Sequence, residues 1–523
     1  MAAGLFEADE RPIAEAIAAI SYANPFTAER CELEQRVLGS AYRPDPRYLQ
    51  PGESHHRVEG NLGGLVSRAE SSIKIAIERL SRRTALSASD RETYLGLAHF
   101  LVFHRHAADF DALIAAGFRA AERDPGAQVP PSRVTPGTLF ERCRRDFAAT
   151  LAFPVLGCDL NVDAPRWFAF YFQIRRAWAN TFAFIHGGSD ALRALRARIW
   201  QSIFTHDMRR YQRGLHARMA DITTLITGPS GSGKELVARA IGFSRFVRYD
   251  VAARAFAADV LTSFYPLNLS ALSPTLIESE LFGHRRGAYT GALGDRAGYF
   301  ETCGQHGTVF LDEIGETAPE IQVKLLRVLQ TREFQRLGDT ELRAFRGRVV
   351  AATNRDLPAE IQAGRFREDL FFRMCADRIE TPTLQTILAG DPEELRCLVA
   401  HVSAAQAGAE DGAELTEQVV THIEKHLGRD YPWPGNFREL EQCVRNILVH
   451  GDYTPPLRAR GGGGQADWIE GVRAGGLTMD ELLHHYCRQV VGQAGTLEEA
   501  ARRLAADRRT IRRYVKLPPD SSN

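Results

Sequence analysis

The sequence lacks paired cysteines, long apolar runs and an excess of either charge, and each absence removes a class of protein. Its eight cysteines, Cys31, Cys143, Cys158, Cys303, Cys375, Cys397, Cys443 and Cys487, are scattered without a CxxC pair. No disulfide framework is indicated, and a reduced, intracellular compartment is expected. No stretch reaches the roughly 18 uninterrupted apolar residues of a membrane-crossing helix, and the opening MAAGLFEADERP is acidic where a secretory leader is basic and then apolar. The expectation is a soluble, cytoplasmic protein with no membrane partner. Lysine plus arginine and aspartate plus glutamate stand at 65 each, so bulk charge names no partner and any nucleic-acid contact must come from local clustering. What is present is ordinary globular composition, 44% hydrophobic and 25% charged. Wholesale disorder is excluded. A chain of 523 residues is long enough for several domains.

The pattern changes along the chain. Residues 1–184 show helical apolar spacing interrupted by Pro/Gly breaks near 43–52 and 125–137, which predicts a mainly helical N-terminal domain. From Asp221 to Ala352 short β-rich runs (223–227, 308–311, 348–352) end in polar loops and alternate with helix signals, as in a parallel α/β sheet. A helical stretch runs from Glu393 to about His450. A linker over 451–476 carries Pro455, Pro456 and Gly461 to Gly464, and 477–523 is a short helical tail.

The chemistry lies in the central segment. Gly228, Pro229, Ser230, Gly231, Ser232, Gly233, Lys234 and Glu235 follow an apolar strand and precede an amphipathic helix, the order a phosphate-binding P-loop requires. Glycines let successive N–H groups face phosphate, the helix N-terminus adds partial positive charge, and Lys234 can reach the β/γ oxygens. Glu235 replaces the hydroxyl residue that usually helps hold Mg2+, so the metal must rely on other groups or water. Further on, Gly307-Thr-Val-Phe-Leu-Asp312-Glu313 is a buried-strand run ending in two acids, a Walker B pattern. Asp312 is placed to hold Mg2+ and Glu313 to polarise the attacking water. A third β-rich run leads to Asn354, a polar group that could sense the γ-phosphate. Arg367 and Arg373, six apart, are of the type that stabilises transferring phosphate from a neighbouring subunit.

Glu278-Ser-Glu-Leu-Phe-Gly-His284, followed by Gly287, Ala288, Tyr289, Thr290, Gly291 and Ala292, resembles the ESELFGH and GAFTGA signature of the bacterial enhancer-binding proteins, AAA+ ATPases that activate sigma-54 RNA polymerase. Tyr289 stands where the family has Phe, keeping the aromatic ring and adding a hydroxyl. The resemblance covers about 185–450 and 477–517. It implies a multidomain fold: a mainly α N-terminal domain (1–184), an α/β AAA+ P-loop ATPase with a helical lid (185–450), the linker, and a Fis-type helix-turn-helix (477–523). It implies ATP and Mg2+ as cofactors, with partners in sigma-54 RNA polymerase holoenzyme, double-stranded DNA upstream of the promoter, and further copies of the chain, from a dimer to a hexameric ring. By the same likeness residues 287–292 touch sigma-54, Asn268 pairs with the catalytic Glu313, Arg367 and Arg373 act across the subunit interface, and Arg438 faces the γ-phosphate. Two readings compete: a DNA-binding regulator that has kept the fold but does not activate sigma-54, against which the intact Walker, finger and loop motifs argue, and an AAA+ remodeller of another client, against which the 287–292 loop and the basic tail argue. Two features depart from the family: Thr383-Leu-Gln-Thr-Ile387 replaces its Pro-Leu and Arg-Glu-Arg, and extra sequence lies between Arg196 and Asp221 and between Gly242 and Phe264.

In the tail, helical spacing predicts two short helices, with seven basic residues against three acidic from Gly495 to Lys516. Arg508, Arg509, Thr510, Arg512, Arg513 and Lys516 are the expected DNA contacts. The N-terminal third names no ligand or cofactor. Lys74 is the only lysine before residue 234, which argues against the phosphate-receiver domain some relatives carry. Trp167, Phe170, Tyr171, Ile174 and Trp178 form a stripe at helical spacing that reads as core in preference to a ligand pocket or a docking face. His104 and His106, two apart on a helix, make a poor metal pair.

Overall fold

The computed structural model describes residues 4–44, 61–121, 134–259, 263–455, 477–494 and 496–516; most of the Gly/Pro linker lies outside them. The N-terminal third is helical, as its periodicity predicts. Its later helices are Ala88–Arg105, Pro136–Leu151 and Leu160–Phe184. Their starts have side-chain caps: Ser87 accepts the Asp90 N–H, Thr135 and Thr138 form a capping box, and Asp159 accepts the Asn161 N–H. Trp167, Phe170 and Tyr171 are buried. Trp178 stacks on Phe26 with centroids 5.4 Å apart. The aromatic stripe is core.

Five parallel strands carry the ATPase-like segment: β1 (Thr224–Thr227), β2 (Phe264–Asn268), β3 (Thr308–Asp312), β4 (Arg348–Thr353) and β5 (Asp377–Glu380). Their order is β5-β1-β4-β3-β2. The burial of every residue of β4 explains why it reads as an unbroken apolar run after Arg348. This register brings the C-terminal ends of β1, β3 and β4 side by side, where an open parallel sheet places its ligand. The lid is built from residues 392–427 and the helix Asn436–His450.

Packing does not pause at residue 184. Helix Leu160–Phe184 lies along the helix that follows the P-loop, Lys234–Gly242, and both stretches of extra sequence wrap it. The second stretch forms a hairpin, Tyr249–Asp250 with Ala255–Phe256. Phe256 stacks on Phe172 at 4.2 Å and on Phe168 at 5.7 Å, and Tyr249 meets Phe140 at 4.7 Å and Phe168 at 4.8 Å. Such ring pairs each contribute about 0.5–1.5 kcal/mol beyond burial. Polar bonds fix the register: Gln173 Nε2 donates to Tyr211 Oη at 2.6 Å and to the Ser244 carbonyl at 2.9 Å, and Asn180 Nδ2 donates to Ser244 Oγ at 3.0 Å. The same helix is therefore core on one side and a docking face on the other.

In the tail, Met479–Ala494 packs against two short helices, Leu497–Leu504 and Arg508–Lys516. Ile511 is completely buried and anchors the last of them. Ala505, in the turn between them, has φ 47°, a left-handed conformation that glycine adopts without a Cβ penalty.

Candidate ATP site and sigma-54 loop

The P-loop leaves β1 through Gly228, Gly231 and Gly233 at φ values of 148°, 74° and 85°. Space forbids substitution as well. A Cβ on Gly228 would lie 2.1 Å from Thr381 Oγ1, and one on Gly231 would lie 2.4 Å from the Gly435 carbonyl. Lys234 Nζ spans the loop, donating to the carbonyls of Gly228 at 3.0 Å and Pro229 at 3.1 Å. Burial pushes its ammonium pKa down, while the charges of Glu313 and Asp312 oppose that shift. Ser232 Oγ donates to the Pro229 carbonyl at 2.7 Å and lies 2.6 Å from Thr381 Oγ1. Glu235 is exposed and ion-paired with Arg239 at 2.7 Å, one helical turn on. The carboxylate that replaces the usual hydroxyl is thus tied to the helix surface.

Asp312 ends β3 between β4 and β2, one strand removed from β1. Burial raises its pKa, and the Glu313 N–H, 3.0 Å from Asp312 Oδ1, counteracts this. Glu313 sits at φ 54°, a strained backbone of the sort that clusters at functional sites. The expected partner of Glu313 is not the one found. Asn268 Oδ1 accepts from the Ser270 N–H at 2.9 Å and the Ser270 hydroxyl at 2.7 Å, a local turn that takes up its acceptor. The backbone N–H of Asn354 reaches Glu313 Oε2 instead, at 3.4 Å, because β4 runs beside β3.

The lid closes over the loop. Arg438 Nη1 donates to Ser230 Oγ at 3.2 Å, Asn436 Nδ2 to the Ser230 carbonyl at 3.0 Å, and the Phe437 N–H to the Gly231 carbonyl at 3.0 Å. Asn436 also accepts the Leu384 N–H at 2.9 Å, joining three segments from a backbone at φ 51°. Sequence reasoning singled out Arg438 and passed over Asn436 and Thr381; the Gly435-Asn436 pair at a helix start was the available signal. Arg367 and Arg373 stay apart from this cluster. Arg367 pairs with Asp369 at 2.6 Å, and Arg373 Nε donates to the Leu329 carbonyl at 2.9 Å; both side chains are exposed.

The 287–292 loop is a tight protrusion. The Gly287 N–H donates to the Ala292 carbonyl at 2.9 Å and the Ala292 N–H to the Tyr289 carbonyl at 3.0 Å. Tyr289 folds back edge-on to His284, centroids 5.1 Å apart, and Thr290 and Gly291 are left exposed. Arg285 anchors the base through Asp295 at 2.6 Å and Asp339 at 3.0 Å.

Residues 205–380 match the family described as Sigma-54 interaction domain. The match takes in the P-loop, both Walker acids, the 287–292 loop and the two arginines, and stops short of Arg438 and the tail. The hydrogenase transcriptional regulatory protein HoxA of Bradyrhizobium diazoefficiens is 43% identical over 254 residues, 48% of this chain and 48% of that protein. The Nif-specific regulatory protein of Azotobacter vinelandii is 44% identical over 227 residues, 43% of this chain and 40% of that one. The transcriptional regulatory protein ZraR of Escherichia coli is 43% identical over 236 residues, 45% and 49% of the two chains. The chain thus spans about half the length of the curated relatives it matches.

In the tail, Arg508, Arg509, Thr510, Arg512 and Arg513 are all exposed on one short helix, whose backbone continues to Lys516. Arg508 pairs with Glu498 at 2.8 Å, and Arg513 lies over the Tyr514 ring. Among the described residues no ion pair engages Arg509 or Arg512. His104 and His106 part company: His106 Nε2 meets Asp146 at 2.6 Å, while His104 lies against Phe100. Among the described residues no helix is long and apolar enough to cross a membrane.

Proposed function

We propose that the chain is a sigma-54-dependent transcriptional regulator that binds DNA upstream of a promoter and uses ATP hydrolysis to remodel sigma-54 RNA polymerase. What supports this is that the P-loop with Lys234 after β1 and the acids Asp312 and Glu313 after β3 stand at the C-terminal ends of one parallel sheet, on either side of β4, with Arg438 reaching Ser230 from the lid, while residues 205–380, which match the sigma-54 interaction family, include the exposed Thr290. Lys234 and the P-loop N–H groups bind the phosphates. Glu313, near Asn354, orients the attacking water and takes its proton. Mg2+ neutralises charge developing on the phosphates when bound. The donor set fits that ion: Asp312 offers a half-buried carboxylate, and Mg2+ keeps several waters besides one or two carboxylates, so the loss of a hydroxyl at Glu235 is tolerable. Arg367 and Arg373, exposed and engaged only by Asp369 and the Leu329 carbonyl, serve the nucleotide of a neighbouring copy in a ring, the hexamer of the resemblance; the tail's basic helix reads DNA as a dimer.

Purified wild type, Glu313→Ala and Thr290→Ala test this through ATP turnover and nucleotide-dependent capture of sigma-54. Wild type turns over ATP and captures sigma-54, Glu313→Ala binds ATP without turnover, and Thr290→Ala turns over without capture. ATP turnover with no sigma-54 capture in any nucleotide state overturns the reading in favour of another client.

A further inference from the structure

A small cavity lies where the N-terminal domain, both extra segments and β4 meet, away from the ATP site. Gln173 on the Leu160–Phe184 helix, Tyr211 and His216 from the first extra segment, Arg245 from the second, and Arg348 at the start of β4 contribute to its wall. Its volume is about 20 Å3, against the 10–15 Å3 that one water needs. Two guanidinium groups line it with little to balance them. Arg245 donates to the Gly307 carbonyl and has no ion pair among the described residues. Arg348, 2% exposed, donates through Nη2 to Ser202 Oγ at 3.0 Å and Thr224 Oγ1 at 2.7 Å; its one carboxylate, Asp377, is 3.9 Å away. Arg348 Nε is buried without a hydrogen-bond partner. Tyr211 Oη accepts from Gln173 and has its own proton to give. Gln173 Oε1, likewise buried and unbonded, supplies an acceptor for a water beside whatever fills the space. A buried cation is costly unless it is paired, and this cavity offers more donors and more positive charge than one water satisfies.

We propose that the cavity is a binding site for a single small monovalent anion of halide size, held by Arg245, Arg348 and the Tyr211 hydroxyl. The ion bridges the two extra segments and β4 beneath the docked helix, and so stiffens the joint between residues 1–184 and the sigma-54 interaction domain. The site is separate from the nucleotide site, and anion binding there is independent of ATP hydrolysis.

The test is thermal unfolding of the full chain in a chloride titration against gluconate at constant ionic strength, with bromide in parallel. A Tm rise that grows with the logarithm of anion concentration above Kd, about 1–3 °C at tenfold excess, is expected with chloride and bromide. Tyr211→Phe keeps the ring but removes the acceptor of Gln173, so its Tm in gluconate starts lower; measured from that baseline, the chloride concentration that gives a set Tm rise increases by about tenfold or more. Crystals grown in bromide show an anomalous peak beside Arg245 and Arg348. Identical Tm curves in chloride and gluconate, or an ordered water and no bromide peak at that position, overturn the proposal.

Discussion

The ATP site and the joint that seats the N-terminal domain lie on two sides of one short helix, Lys234–Gly242, and they are built on different principles. At the P-loop end each position answers to one chemical need: positive φ at Gly228, Gly231 and Gly233, a single ammonium at Lys234, two carboxylates at the end of β3. At the joint, Phe168, Phe172, Tyr249 and Phe256 answer only to shape and apolar area. Substitutions should therefore separate the two regions, abolishing chemistry at one with little loss of stability and loosening the other with chemistry preserved.

The largest effect falls on chemistry. Glu313→Ala is expected to cut kcat about 10³-fold, the range for a lost general base, while leaving Tm and ATP binding nearly unchanged. Phosphate-release kinetics beside a nucleotide-binding isotherm check this. At the joint, Phe168→Ala removes a ring that is completely buried among Phe110, Phe140, Tyr249 and Phe256. Its expected cost is about 3–5 kcal/mol, read as a fall in denaturation midpoint and as protease cleavage within 243–263. If Phe168→Ala leaves stability unchanged and stops hydrolysis, the division between the regions fails.

How much of this was legible in the sequence follows from the same contrast. The P-loop and the Walker acids were readable because phosphate and metal chemistry admits few residue types at fixed spacing, whereas the 287–292 loop was readable only through its resemblance to a family signature. The extra segments at 196–221 and 242–264 were visible only as departures from a family pattern. Their role as a seat for helix Leu160–Phe184 was hidden, since aromatic side chains at helical spacing say that a face is buried and not what buries it. The Asn268–Glu313 pair is absent among the hydrogen bonds of the described residues: Ser270, two residues on, holds the Asn268 oxygen with an N–H and a hydroxyl, and so sets where Nδ2, the donor a carboxylate needs, is carried. Asn436 was missed because its partners, Ser230 and Leu384, are distant in sequence and are met only when the lid folds over.

Two smaller effects sharpen the comparison. Asn436→Ala strips a partner from the Ser230 carbonyl and the buried Leu384 N–H, for about 1–3 kcal/mol shared between stability and nucleotide affinity. Equilibrium unfolding with and without nucleotide apportions it. Ala505→Gly relieves a left-handed turn and is expected to stabilise the C-terminal helices by about 0.5–1 kcal/mol, with ATP turnover unaffected. Thermal melts of the full chain followed at Tyr514 resolve that change.

We propose that ATP hydrolysis at Glu313 is delivered to sigma-54 through Thr290. ATP-dependent open-complex formation by sigma-54 RNA polymerase, with the full chain supplied as wild type, Thr290→Ala and Glu313→Ala, tests it most directly. Open promoter is expected with wild type alone, with continued ATP turnover in Thr290→Ala. Wild type that hydrolyses ATP yet never opens the promoter, or Thr290→Ala that opens it as well as wild type, would contradict it.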